Sequence, residues 1–369
     1  MEKRVKILIS GGGTGGHIFP AVAIAEELQK VFPSCEFLFI GANGKMEMEK
    51  IPQLGYRIEG IDIAGFNRSK LLSNLRLPFM LLESLKKVKR LIKEFQPDFA
   101  IGTGGFASGP ALYAASKSGI PTFIQEQNAH AGITNKILSK KAKLIFTAYP
   151  KVEGLEGSKT RFLGNPIRRS ILSGLKDTKA AKAELGLDPN KLTVLSVGGS
   201  LGSRTLNKAW LQHSNSLLDK DYQLIWQTGN LEYKTMLNQT QHVMSRNLQV
   251  VEFIKNMELA YSAADIIVSR AGAIAISELA VVGKPVILVP FPFAAEDHQT
   301  VNAQNLVDRN AALMVKDIEM EDKFWSSLMT LTEDSNKRKE MSENLEFFAR
   351  ENAAEEIVKE IVNHLSIGK

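Results

Sequence analysis

The sequence predicts an α/β protein made of two Rossmann-like domains, each a doubly wound parallel sheet. Short apolar runs alternate with longer helical runs along most of the chain, as parallel strands joined by crossover helices require. At 369 residues the chain is long enough for two separate cores. A glycine-rich turn also follows the first strand of each half. Ligands of such two-domain proteins bind in the cleft between the domains, so a cleft is the expected active site.

The domain boundary is predicted at Gly164-Asn165-Pro166, because Pro ends regular structure there. The predicted domains are residues 1–165 and 166–350, and residues 351–369 are expected to form a helix that packs back on the first domain. The apolar runs predict twelve strands: Val5–Ser10, Glu36–Ile40, Arg57–Ile61, Asp98–Ile101, Thr122–Gln125 and Leu144–Thr147, then Thr193–Val197, Gln223–Gln227, Gln249–Glu252, Ile266–Ser269, Val286–Val289 and Ala312–Val315. The helical stretches Lys337–Arg350 and Ala353–Leu365 have no strand after them and could pack back across the first domain.

Composition excludes several protein classes. Hydrophobic residues make up 44% of the chain and charged residues 23%, as in an ordinary globular protein. A single cysteine, Cys35, excludes an internal disulfide and favours a reducing compartment. Met1–Arg4 leads into a short strand rather than a signal peptide, and no uncharged run has membrane-spanning length. The sequence therefore predicts a cytoplasmic protein.

Charge is distributed unevenly between the halves. Residues 1–165 carry 23 Lys and Arg against 14 Asp and Glu, while residues 166–369 carry 23 against 26. A basic first half indicates an acidic partner, and an anionic membrane surface is preferred to nucleic acid. Apolar and basic residues interleave from Phe66 to Leu82, and Phe66–Phe79 is predicted to contact that surface. The helical spacing of the following apolar residues predicts instead a buried face: Leu81, Leu85, Val88, Ile92 and Phe95.

The glycine turn Gly11–Gly16 precedes a helix and suits an anion, because its backbone amides and the helix N-terminus both attract negative charge. It matches the dinucleotide fingerprint only formally, since no acid ends the second strand to hold a ribose. The P-loop pattern fails because His17 stands where Lys is required. His17 is therefore a candidate catalytic imidazole beside the bound group, with a helix-capping residue as the alternative.

A second glycine turn, Gly102–Pro110, follows another strand of the first half. Two such turns at one sheet edge could hold both phosphates of a diphosphate. The polar run Gln125–Asn128 comes after a third strand. It indicates either a ligand-binding network or a solvated loop.

The second half repeats the pattern at Val197–Ser203 and at Ser269–Glu278. Small residues free the helix N-terminus after Arg270 for an anion, and Glu278 could accept hydrogen bonds from a ribose diol. The six histidines are scattered, and Asp219-Lys220-Asp221 falls at the opposite end of the sheet, so neither a metal site nor a cofactor is expected.

These motifs together resemble the MurG family of bacterial N-acetylglucosaminyltransferases. The resemblance rests on the following stretches, in this order: Gly12–His17, Gly104–Pro110, Glu126–Asn128, Gly164–Arg168, Gly198–Ser200, Glu252–Ile254 and Arg270–Glu278. It implies a fold of the glycosyltransferase B type and an inverting, metal-independent transfer of GlcNAc from UDP-GlcNAc. The implied acceptor is the C4 hydroxyl of MurNAc in undecaprenyl-pyrophosphoryl-MurNAc-pentapeptide (lipid I), giving lipid II for peptidoglycan. The implied location is peripheral, on the cytoplasmic face of the cell membrane.

The resemblance also implies residue roles. His17 is the candidate base, with Glu126 second. The implied donor pocket consists of Arg168, Ser200, Phe253, Ile254, Arg270, Ala273, Ile274, Ala275, Glu278 and Gln299. The residues implied to contact the transferred sugar or the acceptor are Thr14, Gly15, Gly16 and Asn128, and those implied to contact the acceptor diphosphate are Gly13, Gly104 and Gly105. Phe106 and His298 depart from the common family residues, Tyr and Gln.

Two other functions fit the same sequence. A UDP-sugar 2-epimerase of similar architecture needs no lipid acceptor, and a nucleotide-sugar binding module at the membrane would catalyse nothing.

Overall fold

The computed structural model describes residues 4–65, 75–155, 157–199, 201–243 and 245–365. The chain divides into two compact units. The first consists of Met1–Ile167 and Arg350–Lys369, and the second of Arg168–Ala349. Each unit is built on one all-parallel sheet, which confirms the predicted pair of doubly wound α/β folds.

The sheet of the first unit has, among the described residues, seven strands in the order β3-β2-β1-β4-β5-β6-β7. The strands are β1 (Lys6–Gly11), β2 (Glu36–Ala42), β3 (Ile58–Ile61), β4 (Phe99–Gly104), β5 (Thr122–Glu126), β6 (Leu144–Thr147) and β7 (Thr160–Phe162). The intervening helices are α1 (Gly15–Val31), α2 (Glu47–Gln53), α3 (Leu77–Phe95), α4 (Ser108–Lys117) and α5 (Ile133–Ser139).

The sheet of the second unit has six strands in the order β10-β9-β8-β11-β12-β13, again counted over the described residues. They are β8 (Thr193–Val197), β9 (Gln223–Gln227), β10 (Leu248–Val251), β11 (Ile266–Arg270), β12 (Val286–Val289) and β13 (Leu313–Met314). The helices are α6 (Arg169–Gly174), α7 (Thr178–Glu184), α8 (Arg204–Asp219), α9 (Tyr233–Thr240), α10 (Met257–Ala263), α11 (Ala273–Val282), α12 (His298–Val307), α13 (Met320–Glu333) and α14 (Ser335–Leu345). A last helix, α15 (Ala353–Leu365), belongs to the first unit.

Both faces of the first sheet are buried. Successive side chains of a strand point to opposite faces. Leu8 of β1 packs with α3 and α4 on one face, while Ile7 and Ile9 pack with α1 and α15 on the other. Burial on both faces explains why the strands read as nearly continuous apolar runs.

The strand order reverses between β1 and β4, which is where ligands of open parallel sheets bind. Gly11 at the end of β1 is in register with Gly104 at the end of β4, and the Gly12 amide donates to the Gly104 carbonyl at 3.3 Å. The two glycine turns predicted to meet at one sheet edge therefore lie side by side.

Two expectations differ from the structure. Strand β7 was not predicted, because it has an exposed residue, Arg161, between two partly buried ones, and its single apolar side chain, Phe162, forms no apolar run. The stretch after Lys337 falls within the predicted second domain, 166–350, and α14 lies in the second unit. Leu81 was expected in the core, but it is 42% exposed because α3 meets the core only from Ser84 onwards.

Within the described ranges, no helix is both long enough and apolar enough to span a bilayer.

Candidate functional site

His17 lies in the first turn of α1, at the reversal of strand order in the first unit. Its imidazole Nδ1 is 2.9 Å from the Thr103 carbonyl and 2.9 Å from Gln127 Oε1. A carbonyl oxygen only accepts hydrogen bonds, so Nδ1 carries the proton of the neutral ring. The other ring nitrogen, Nε2, then has the lone pair, which is the form that a general base needs.

The backbone of Gly104 makes room for this imidazole. A Cβ at position 104 would lie 2.8 Å from both Cε1 and Nδ1 of His17, and Gly104 has a φ of +99°. At position 105 a Cβ would lie 2.2 Å from the Gly12 carbonyl oxygen. Glycine at both positions thus allows the second turn to pack directly against the first turn and its histidine.

Glu47 occupies part of the first glycine turn. Its carboxylate, completely buried at the start of α2, accepts hydrogen bonds from the Gly13 amide at 2.8 Å and the Ala42 amide at 3.0 Å. The Gly13 amide, predicted to meet a diphosphate, is not available to one while this bond is in place. Glu47 was not predicted from the sequence, because the dinucleotide pattern expects an acid at the end of β2 and this one comes five residues later.

Glu126 ends β5 and is buried. One carboxylate oxygen accepts from the Asn128 amide at 3.0 Å and the Asn128 side chain at 3.2 Å. The other oxygen accepts from the Gly132 amide at 3.2 Å and Asn135 Nδ2 at 2.8 Å. Four N–H donors stabilise the carboxylate and hold the loop between β5 and α5 in place. Asn135 Oδ1 is buried and has no hydrogen-bond partner among the residues that the structure describes.

In the second unit, Glu278 of α11 is buried beneath Arg168. The Arg168 guanidinium donates to both carboxylate oxygens, from Nε at 3.0 Å and from Nη2 at 3.2 Å, and the Tyr261 hydroxyl lies 3.4 Å from Oε2. Burial and the Glu278 charge raise the pKa of Tyr261, so it is a neutral donor. Burial opposes the charge on Arg168, but its hydrogen bonds with Glu278 raise its pKa above the ordinary value.

Arg270, at the end of β11, is committed to contacts within its own unit. Its Nη1 donates to the carbonyls of Val289 and Pro290 at 3.1 and 3.0 Å and to Asp317 Oδ1 at 2.5 Å, and its Nη2 donates to Ser203 Oγ at 2.6 Å. The guanidinium therefore ties β11 to the loop after β12 and to the start of α8. Neither Asp317 nor Tyr261 was singled out from the sequence, since no local pattern around either residue marks it.

The other predicted donor residues follow strands at the carboxyl edge of the second sheet. Phe253 and Ile254 follow β10, Ala273–Ala275 open α11, and Gln299 lies in the first turn of α12. The Ile254 amide donates to Gln227 Oε1 at 2.9 Å, and Gln299 Oε1 accepts from the Phe291 amide at 2.9 Å. Ser200 lies outside the described residues.

Comparison with known proteins identifies the family. The model for the glycosyltransferase family 28 N-terminal domain matches residues 7–147, and that for the C-terminal domain matches residues 193–361. A curated UDP-N-acetylglucosamine--N-acetylmuramyl-(pentapeptide) pyrophosphoryl-undecaprenol N-acetylglucosamine transferase of Flavobacterium psychrophilum is 46% identical, with 98% of each chain covered. This chain belongs to glycosyltransferase family 28.

Solved structures agree with the family 28 assignment. MurG of Acinetobacter baumannii is 30% identical, with a TM-score of 0.79 over 98% of this chain and 100% of the other. A UDP-GlcNAc 2-epimerase of Neisseria meningitidis bound to UDP-GlcNAc has a TM-score of 0.68 over 98% of this chain and 100% of that one, but it is only 16% identical. The second likeness is one of fold alone.

The four hydrogen bonds that Glu126 accepts predict that this residue stabilises the first unit against unfolding. In Glu126→Gln an amide nitrogen replaces one carboxylate oxygen, so N–H donors on that side lose their acceptor inside the protein. We expect the opening free energy of the first unit to fall by about 2 kcal/mol. Hydrogen exchange of peptides that cover residues 122–135 measures this loss.

Tryptophan fluorescence provides an internal reference, because Trp210, Trp226 and Trp325 all lie in the second unit. Because Glu126 lies in the first unit, we expect the midpoint of the fluorescence-detected unfolding transition to be the same in Glu126→Gln as in the unchanged protein. Glu355→Gln, at an exposed position of α15, is the matched control. Unchanged exchange in Glu126→Gln, together with lost turnover, would instead identify Glu126 as the base.

Proposed function

We propose that the chain catalyses inverting, metal-independent transfer of GlcNAc from UDP-GlcNAc to the C4 hydroxyl of MurNAc in undecaprenyl-pyrophosphoryl-MurNAc-pentapeptide. The observation that carries this proposal is the His17 imidazole, fixed with its proton on Nδ1 at the edge where the two glycine turns meet. Membership of family 28 supplies the reaction class, and the names of the curated relatives supply the substrates.

His17 performs the proton transfer in the proposed mechanism. Nε2 takes the proton of the acceptor hydroxyl as its oxygen attacks the anomeric carbon of GlcNAc. The bond from that carbon to the diphosphate oxygen breaks on the opposite face, and its electron pair leaves with UDP. The imidazolium that forms keeps donating from Nδ1 to Thr103 and Gln127, and these oxygens stabilise its charge.

The contacts of Glu126 favour His17 as the base. A base needs an oxygen or nitrogen that can reach the hydroxyl proton, and both oxygens of Glu126 already accept two N–H groups each. The role that these contacts support is to shape the loop that carries Asn128, which is proposed to contact the sugar or the acceptor. Thr14, Gly15 and Gly16 remain the proposed contacts on the α1 side.

For the acceptor diphosphate, Gly104 and Gly105 are the better-supported contacts. The Gly13 amide is used by Glu47, and the Gly12 amide by the Gly104 carbonyl. Buried Glu47 also adds negative charge beneath the first turn, and this disfavours a second anion there.

The proposed donor site lies on the second unit, at the carboxyl edge of its sheet. Glu278 is the proposed contact of the ribose diol, and Arg168, half exposed beside it, of the diphosphate. Arg270 supports the loops around that site through its four close partners rather than by reaching the diphosphate. The N-terminus of α11 is then the group that stabilises the charge developing on the leaving UDP.

The first prediction for this mechanism concerns His17. In His17→Gln and His17→Ala we expect kcat to fall by roughly 10²- to 10⁴-fold, because proton transfer loses its base. The KM for UDP-GlcNAc should not change, since the residues proposed to bind the ribose and diphosphate of the donor lie in the other unit. The measurement is transfer of labelled GlcNAc from UDP-GlcNAc to a lipid I analogue, in EDTA.

His242→Gln, at an exposed position of the second unit, is the control and should keep normal turnover. Near-normal kcat in His17→Ala would show that another group is the base. Conversion of UDP-GlcNAc without any acceptor would point to an epimerase and contradict the proposed reaction itself.

We further propose that the first unit binds an anionic membrane surface peripherally, where a lipid-linked acceptor lies. Among the described residues, Phe79 and Leu82 of α3 are 73% and 56% exposed, and Leu75 just before the helix is also exposed. Exposed basic residues follow on the same helix, including Lys86 and Arg90. Apolar side chains bordered by cations fit insertion among anionic head groups. The predicted contacts at residues 66–74 lie outside the described residues.

Removal of the two exposed side chains tests this proposal. In Phe79→Ser/Leu82→Ser we expect affinity for vesicles containing anionic phospholipid to fall at least about tenfold, from the lost apolar burial. Vesicle co-sedimentation measures it. Leu231→Ser, which removes a 69% exposed side chain from the second unit, should bind like the unchanged protein. Equal binding by all three proteins would refute the α3 surface as the contact.

A further inference from the structure

Gln127 is the only side chain that hydrogen bonds to the imidazole of His17 among the described residues, and it is itself buried, with 1% of its surface exposed. Its amide orientation is fixed by its surroundings. Nε2 donates to the Thr103 carbonyl at 2.7 Å and to the Gln125 carbonyl at 3.1 Å. The reverse orientation would place Oε1 against two carbonyl oxygens, so Oε1 must face His17.

This orientation determines which imidazole nitrogen carries the proton. Both oxygens near Nδ1, that of Thr103 and that of Gln127, accept and cannot donate. In the tautomer with its proton on Nε2, Nδ1 would have only a lone pair, and it would face two acceptor oxygens without a proton to donate to either. A buried arrangement of that kind carries a desolvation penalty with no hydrogen bond to offset it.

Gln127 is in turn held by a network of buried amides. Gln125 Nε2 donates to Asn165 Oδ1 at 2.7 Å, and Asn165 Nδ2 donates to the Gln127 carbonyl at 3.2 Å. Gln127 Nε2 also contacts Gln125 Oε1. The network connects the end of β5 to Asn165, which lies close to the end of the segment Met1–Ile167 of the first unit. Its side chains cannot turn without breaking several hydrogen bonds.

We propose that Gln127 is a positioning residue for His17: it locks the neutral tautomer that exposes the Nε2 lone pair and fixes the plane of the ring. This inference rests on the proposed function, in which His17 is the base. A neutral amide fulfils the role without adding charge. The carboxylates on neighbouring elements, Glu47 and Glu126, are bonded to N–H groups of the turns and the β5–α5 loop.

The test is Gln127→Met, which keeps the length of the side chain but has no amide. We expect kcat to fall roughly tenfold, the equivalent of one lost hydrogen bond, with the KM for UDP-GlcNAc unchanged. Nδ1 also loses one of its two acceptors, so the ¹⁵N resonance of His17 Nδ1 should shift. In the His17→Ala background the same substitution should change kcat less than twofold.

Gln125→Met is the matched control, because it breaks the same buried network without touching His17. It should leave the ¹⁵N resonance of His17 Nδ1 in place, even if it lowers stability. A purely structural role for Gln127 predicts equal effects of both substitutions and the same tenfold loss in the His17→Ala background. Either result would overturn the proposal.

A readout without turnover separates this proposal from the proposed function. In protein labelled with ¹⁵N-histidine, with the His17 signals assigned by their loss in His17→Gln, Nδ1 should show the shift of a protonated nitrogen and Nε2 that of an unprotonated one. The reverse pattern would refute the tautomer lock even if the enzyme transfers GlcNAc. The expected pattern in a protein that does not transfer GlcNAc would refute the proposed reaction and leave the lock intact.

Discussion

The hydrogen bond from His17 Nδ1 to the Thr103 carbonyl is the contact on which the candidate active site depends. It joins the start of α1 to the end of β4, two elements that become neighbours because the strand order reverses between β1 and β4. Thr103 Oγ1 also donates to the His17 carbonyl at 2.7 Å, so backbone and ring are fixed together. The parallel sheet therefore delivers a histidine of defined tautomer to its ligand-binding edge.

Buried carboxylates organise the loops around this histidine. Glu47 holds the first glycine turn and Glu126 the loop after β5, each through backbone amides that would otherwise face the interior unpaired. A carboxylate bonded in this way stabilises a turn much as a bound anion would. In the second unit the cation Arg270 has the equivalent role, because it collects oxygen atoms from three separate segments. Charged residues thus maintain the shape of both sheet edges.

Local patterns in the sequence predicted most of the fold. Apolar runs located twelve of the strands, and glycine turns located the edge where β1 and β4 end. The short β7 was missed because it forms by pairing with β6, and its own residues do not have the apolar composition of a strand. Leu81 has the spacing of a core residue, but spacing cannot tell where along α3 the core begins.

Partners distant in sequence were beyond prediction. His17 and Gln127 are 110 positions apart, as are Arg168 and Glu278, and nothing near either member specifies the other. The sequence indicated that Gly13 and Arg270 could bind an anion, because both carry hydrogen-bond donors. It could not show that acceptors elsewhere in the chain, Glu47 and Asp317, take up these donors in the folded protein. The predicted site residues that the structure describes lie near the two sheet edges, but the residues that hold them, such as Glu47 and Asp317, emerge only from the structure.

The most direct test of the account compares two glycine-to-alanine substitutions. Gly104 and Gly44 both have positive φ, +99° and +71°, so alanine is strained at either position. A Cβ at position 104 meets His17, whereas one at position 44 has no described atom within 4 Å. We expect Gly104→Ala to lower kcat for GlcNAc transfer by roughly a hundredfold and to shift the ¹⁵N resonances of the His17 ring. Gly44→Ala should do neither. Normal turnover and an unchanged His17 spectrum in Gly104→Ala would contradict the claim that catalysis depends on the imidazole packed against this backbone.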